Sequence, residues 1–143
     1  MVSVIRYATR NDIPALIALA RQEHAQSTWA QALPFDARAV EATALQFIEQ
    51  PGRTVLMTDG GYLAGLVQPL GFTAATAAME WAWFAVDGSG LALAARFETW
   101  GRRMGAALVV LHNYSSDARL ARVLADRRHY QRAGDAWTRD IRS

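Results

Sequence analysis

Apolar residues recur along this chain with two periods, and the switches between them mark its elements. Residues 2–7 read as a first strand. Asn11-Asp12-Ile13-Pro14 then reads as a helix start, with Asp12 as cap and a proline in the first turn. Ile13, Leu16, Ile17 and Ala20 keep the helical spacing to about Glu23. Residues 24–35 hold no period and read as a loop or a broken helix. Asp36 caps a second helix with Val40, Ala44, Phe47 and Ile48 on one face, and Pro51-Gly52 stops it. Residues 53–58 read as a strand. Asp59-Gly60-Gly61 offers positive-φ residues for a tight hairpin, and residues 62–70 pair back. A strand over 78–86, a helix over 91–104 closed by Gly105, and a short apolar strand over 107–112 follow, the last expected to be covered on both faces. A helix capped by Ser116 or Asp117 turns Leu120, Val123 and Leu124 inward, and an alternating segment over 133–141 closes the chain. This order predicts an α/β fold with a mixed sheet: a meander in the middle, then strand–helix–strand crossovers.

Composition narrows the chemistry. A chain of 143 residues suits one domain, residues 1–143, with a proper core. No apolar run approaches the roughly 20 residues of a membrane span, and no export signal is legible, so a cytoplasmic location without membrane attachment is the expectation. Cysteine is absent, and three histidines without close spacing make a metal site an unpromising reading. All 15 basic residues are arginine, against a net charge of only +2. Seven of them (Arg119, Arg122, Arg127, Arg128, Arg132, Arg139, Arg142) make the C-terminal quarter basic. No recognition helix or single-strand motif accompanies them, so nucleic acid is not the expected partner.

The informative stretch is "EWAWFAVDGSGLAL", residues 80–93. Glu80 is one carboxylate in an apolar strand. Strict alternation sets Met79, Trp81 and Trp83 on one face, and Glu80, Ala82, Phe84 and Val86 on the other. The strand delivers Asp87-Gly88-Ser89-Gly90 to a helix start. Free amides there, with no side chain at Gly88 or Gly90, suit an anion such as a phosphate. A plain turn, with Glu80 exposed at a strand end or paired to an arginine, is the competing reading.

The chain resembles the GCN5-related N-acetyltransferase (GNAT) family, particularly short, divergent members common in phage genomes. The likeness rests on "VIRYATRNDIPALIALA", "EWAWFAVDGSGLALAARFETWGRRMGA", "ALVVL" and "ARLARVLADRRHYQRAGDAWTRDI". It implies a GNAT-like mixed sheet with a splayed central strand pair, flanked by about four helices, with acyl-CoA lying in the splay. The diphosphate would meet the amides of Gly88, Ser89, Gly90 and Leu91, and the backbone of Phe84, Ala85 and Val86 would hold the pantetheine arm. Glu80 falls where many members place the base. Trp29 and Phe35 fall in the region of the acceptor pocket. Departures are specific: Asp87 precedes the glycines where the family brings Arg or Gln, and the loop is short. Ala118 and Ala125 replace the later motif's Asn and Tyr, while Ala121 and Leu124 keep their places and His129-Tyr130 stands for Gly-Phe. Tyr130 and Tyr114 are the nearest substitutes for the missing acid. His112 ends a strand near the expected thioester and reads first as a core or rim histidine.

The resemblance therefore implies an acyl-CoA-dependent N-acyltransferase moving an acetyl group directly from acetyl-CoA to a small-molecule or protein amine, with no metal. A homodimer through the last strands or the exposed aromatic loop is a separate expectation for its assembly. A catalytically degenerate GNAT-fold binding or assembly protein, phage-encoded, is the other open reading.

Overall fold

The computed structural model describes residues 4–27, 30, 32–112, 118–134 and 138–142. Among these, five strands form one sheet: β1 (Arg6–Tyr7), β2 (Arg53–Thr58), β3 (Gly61–Pro69), β4 (Thr76–Ala85) and β5 (Leu108–Val110). The helices are α1 (Ile13–Gln26), α2 (Ala37–Glu49), α3 (Gly90–Arg103) and α4 (Ala118–Arg128). Strand order follows the chain, β1-β2-β3-β4-β5. The first three pairings are antiparallel, and β5 joins β4 in parallel after the α3 crossover.

Local chemistry accounts for the helix starts. Asp36 caps α2 by accepting from the amides of Arg38 and Ala39. Asp12 does not cap α1 through its side chain, contrary to expectation. A 3₁₀ turn at Arg10–Asp12 comes first, and the Asp12 carboxylate reaches back to the Thr9 amide at 2.7 Å. Arg6 forks onto the same carboxylate with two 2.7 Å bonds and holds its pKa down to about 2.

The sheet divides two apolar layers. On one side Ile13, Leu16 and Leu19 of α1 and Ala44 and Phe47 of α2 pack with Val55, Met57, Tyr62 and Ala64. On the other, Leu93, Ala94, Phe97 and Trp100 of α3 pack with Leu56, Leu63 and Ala78. Gly65 admits the Phe97 ring, because a Cβ there would lie 2.3 Å from two ring carbons.

Two expectations about β4 and its hairpin are corrected. Strict alternation fails at a β-bulge: Ala64 faces Ala82 while Gly65 faces Glu80, leaving Trp81 as the extra residue. Ala82 and Phe84 therefore pack with the α1/α2 layer and Trp83 with the α3 layer, while Trp81 lies against Phe47 with ring centroids 5.6 Å apart. Trp81 and Trp83 thus serve opposite faces. The β2–β3 turn also closes without positive φ at residues 59–61. Its glycines serve close approach instead. A Cβ on Gly60 would sit 2.8 Å from the Asp87 Cβ, and one on Gly61 would sit 2.7 Å from Ser89 Oγ.

The C-terminal part departs further. β5 is three residues long, and Leu108 is 56% exposed, so this strand is not covered on both faces. Residues 133–134 and 138–142 form no strand, and the remainder of that expected segment, 135–137, lies outside the described residues. So do Ser116 and Asp117, the expected caps of α4. His129 takes φ +60 and lets the Tyr130 amide reach back to the Leu124 carbonyl at 2.9 Å. It fills the left-handed position that a glycine would occupy more easily.

Candidate active site

The β4–β5 ladder is short. Pairing runs from Ala77–Leu108 to Met79–Val110 and stops, while β4 continues to Ala85. Among the described residues, nothing pairs with the far edge of β4 beyond Met79, which leaves a gap beside β4 past the end of β5. Glu80 is the first β4 residue past the last pair. It is 5% exposed, and its Oε2 lies 3.0 Å from Nδ1 of His112, two residues past the end of β5. The partner is thus a histidine from across the gap, not an arginine.

Burial pushes the Glu80 carboxyl above the usual carboxylate range, and the His112 contact opposes that rise. The same contact pushes His112 up. Together they hold a proton to higher pH than isolated groups would. Two further groups belong to this neighbourhood. The Tyr62 hydroxyl on β3 donates to Glu23 Oε1 near the end of α1. Burial raises both pKa values, and the Glu80 charge adds to each rise.

Backbone donors toward the gap follow from the ladder. The Val86 amide donates to the Gly60 carbonyl at 2.8 Å, and antiparallel bonding alternates, so the Phe84 amide is directed to β3 as well. The amides of Ala85 and Trp83 point the other way, into the gap. Of the expected trio Phe84, Ala85 and Val86, only Ala85 offers its amide there.

The loop into α3 is organised by Asp87. Its carboxylate accepts from Thr58 Oγ1 at 2.8 Å, the Gly60 amide at 3.1 Å, and both the amide and hydroxyl of Ser89. These donors, the Ser89 hydroxyl first, hold the Asp87 pKa well below the usual range. Ser89, 8% exposed, spends both donors inward, so it is not a free phosphate ligand as expected. Gly88 turns outward at φ +79 with open space where a Cβ would stand. The amides of Gly90, Leu91 and Ala92 precede the first helical bond, Leu93 to the Ser89 carbonyl, and stay available. Asp87→Ala should cost about 1–3 kcal/mol, because the Thr58 hydroxyl and the Gly60 and Ser89 amides all lose the carboxylate, leaving buried Thr58 only the Ser89 hydroxyl at 3.0 Å. The contribution is full above the ordinary aspartate value of 3.8 and fades as pH falls below it. Urea denaturation at pH 7 and at lower pH checks both magnitude and sign.

Other expected residues lie elsewhere. The Tyr130 hydroxyl donates to Glu98 Oε1 on α3 at 2.8 Å, and Arg128 holds the other oxygen at 2.8 Å. Burial and the Glu98 carboxylate raise its pKa, so the proposed acid is engaged with α3 rather than turned to a leaving group. Phe35 packs edge-on to His24 and under the Arg21 guanidinium, 4.5 Å from its centroid, which ties the loop to α1. Trp29 and Tyr114 lie outside the described residues. A groove of about 580 Å³, lined by Arg10, Ile13, Pro14, Ile17, Glu41 and Leu45, shares no residue with the gap. Sequence reasoning underrated His112 and Asp87; the Asp-x-Ser spacing, which favours a local side-chain turn, was the one legible signal for the latter.

No protein-family model matches the sequence, and no curated protein matches it. Solved structures do. AAC(6')-Iy in complex with the bisubstrate analogue CoA-S-monomethyl-acetylneamine superposes with TM-score 0.72 at 11% identity over 100% of both chains. An aminoglycoside acetyltransferase from an uncultured soil metagenomic sample, in complex with sisomicin, gives 0.69 at 14% identity over 97% of this chain and 96% of that one. A Trypanosoma brucei acetyltransferase gives 0.69 at 14% over 98% and 100%. Among the described residues no helix is long and apolar enough to cross a membrane. The mixed five-stranded sheet with its four flanking helices is the GNAT fold that these acetyltransferases share.

Proposed function

We propose that the protein is an acyl-CoA-dependent N-acyltransferase that passes an acetyl group directly from acetyl-CoA to an amine. The observation that carries this reading is the end of β4–β5 pairing at Met79–Val110, followed at once by a buried carboxylate. The thioester would lie in the gap with its oxygen toward the amides of Trp83 or Ala85. The diphosphate would meet Gly88, Gly90 and Leu91 at the start of α3.

Glu80 takes one proton from the substrate ammonium. The freed amine attacks the thioester carbon, and the carbon–sulfur bond breaks as the tetrahedral intermediate collapses. The second nitrogen proton ends on the coenzyme thiolate through solvent, because Ala125 supplies no acid and Tyr130 is held by Glu98. The acceptor is a small-molecule amine in this proposal; sisomicin, seen with one neighbour, and neamine, the amine part of the bisubstrate analogue seen with another, start the panel. A cytoplasmic location, where acetyl-CoA is made and used, and a homodimer belong to the same proposal.

The inward-tied Ser89 favours a second reading, a GNAT-fold binding protein that no longer transfers. Melting in the presence of acetyl-CoA or CoA, with thiol release on an amine panel, separates the two. Ligand at 100 times its Kd should add about 2.7 kcal/mol of stability. Binding with thiol release supports transfer. Binding without release supports the second reading, and no shift at millimolar ligand removes acyl-CoA from the account.

A further inference from the structure

Glu80 is almost closed off from solvent. Its side chain is 3% exposed, whereas the His112 side chain, 3.0 Å away, is 30% exposed. Glu80 lies in β4 just past the last β4–β5 pair and His112 lies two residues beyond the end of β5, so their hydrogen bond joins the two segments where the pairing stops. Other titratable groups around Glu80 are Glu23 from α1 and Tyr62 from β3, joined to each other. Glu23 is acidic and Tyr62 is neutral until high pH, so neither stabilises a charge on Glu80. His112 is the cation among the partners the structure shows for that carboxylate.

We propose that His112 is the positioning residue of the base: it aims the Glu80 carboxylate across the gap and keeps it ionised to receive the ammonium proton. The inference rests on the acyltransfer reading. His112 does not touch the reacting atoms and forms no covalent bond. Through Nδ1 it supplies a charged donor to Oε2, leaving Oε1 for the amine or a bridging water. Without that donor, burial alone governs Glu80, and the carboxyl stays protonated to higher pH.

The test has two arms. In the first, His112→Gln is compared with the unchanged protein across pH in steady-state transfer, with near-ultraviolet circular dichroism to establish that it is folded. The acid limb of kcat should move up by about 1–3 pH units, the range for loss of a nearby opposite charge, with KM for acyl-CoA unchanged. His112→Ala should move the limb at least as far. An acid limb that stays in place in folded His112→Gln overturns the proposal. The second arm needs no turnover. With only three histidines in the chain, proton NMR resolves their titrations, and His112→Gln identifies the missing resonance. The His112 ring should titrate above its ordinary value of 6.5 and return toward it in Glu80→Gln. An unshifted ring, or one indifferent to Glu80→Gln, overturns the pairing. If no amine is acylated while the ring shift is present, the acyltransfer reading fails and His112 as a base-positioning residue falls with it, leaving a structural pair.

Discussion

Glu80→Gln is expected to lower kcat for acyl transfer by about 10²–10⁴-fold, the usual contribution of a general base. The substitution keeps the shape of the side chain and a hydrogen-bonding oxygen for His112, but it cannot take a proton. Acyl-CoA binding should change little, since the amides proposed to hold the coenzyme belong to residues 83–91. Stability should hold or rise at neutral pH, and the sign follows from linkage. Burial raises the Glu80 pKa in the fold, so the native state binds its proton more tightly than the unfolded chain does. That favourable contribution is complete below the ordinary value of 4.5 and is lost as pH rises through the folded value. Gln removes this dependence. Steady-state rates on whichever amine the panel turns over, with isothermal titration of acetyl-CoA, check the prediction; an unchanged kcat would remove Glu80 from the mechanism.

Phe97→Ala should destabilise the protein by about 3–5 kcal/mol in chemical denaturation. The ring is fully buried and stacks on Trp100 at 5.4 Å between centroids, with planes 15° apart. It fits against Gly65, where no side chain stands to fill the vacated space. Leu56, Leu63 and Leu93 in the same layer are also fully buried and cannot collapse inward without breaking other contacts. The consequence extends to the site. α3 is seated by Phe97 and begins at the amides proposed to meet the diphosphate, so loosening it should weaken CoA binding as well. A loss below about 1 kcal/mol would contradict the packing of α3 on β3 and β4.

The order of elements was legible because it rests on short-range signals. Asp36 with the helical spacing behind it set α2; the Pro51-Gly52 stop and the Asp59-Gly60-Gly61 turn bracket β2, found at Arg53–Thr58 as expected. The Asp-Gly-Ser-Gly stretch announced the junction into α3 because Gly88 alone of those residues adopts positive φ there. Glu80 stood out for the same kind of reason, as one carboxylate in an apolar strand. What could not be read was anything decided by a partner far along the chain. The bulge at Trp81 depends on how β4 registers with Ala64 and Gly65, and one extra residue sends Trp83 to the other side of the sheet. The glycines of the hairpin look like turn residues until Asp87 and Ser89, from another junction, are found pressed against them. Tyr130 is drawn to Glu98, 32 residues away, and His112 to Glu80, also 32 residues away. By itself the sequence determined which segments coil, which extend and where a lone acid would sit, since propensity, capping and periodicity act within a few residues. Only the tertiary structure decided which side chains that acid meets, because register and burial are set by segments far apart along the chain.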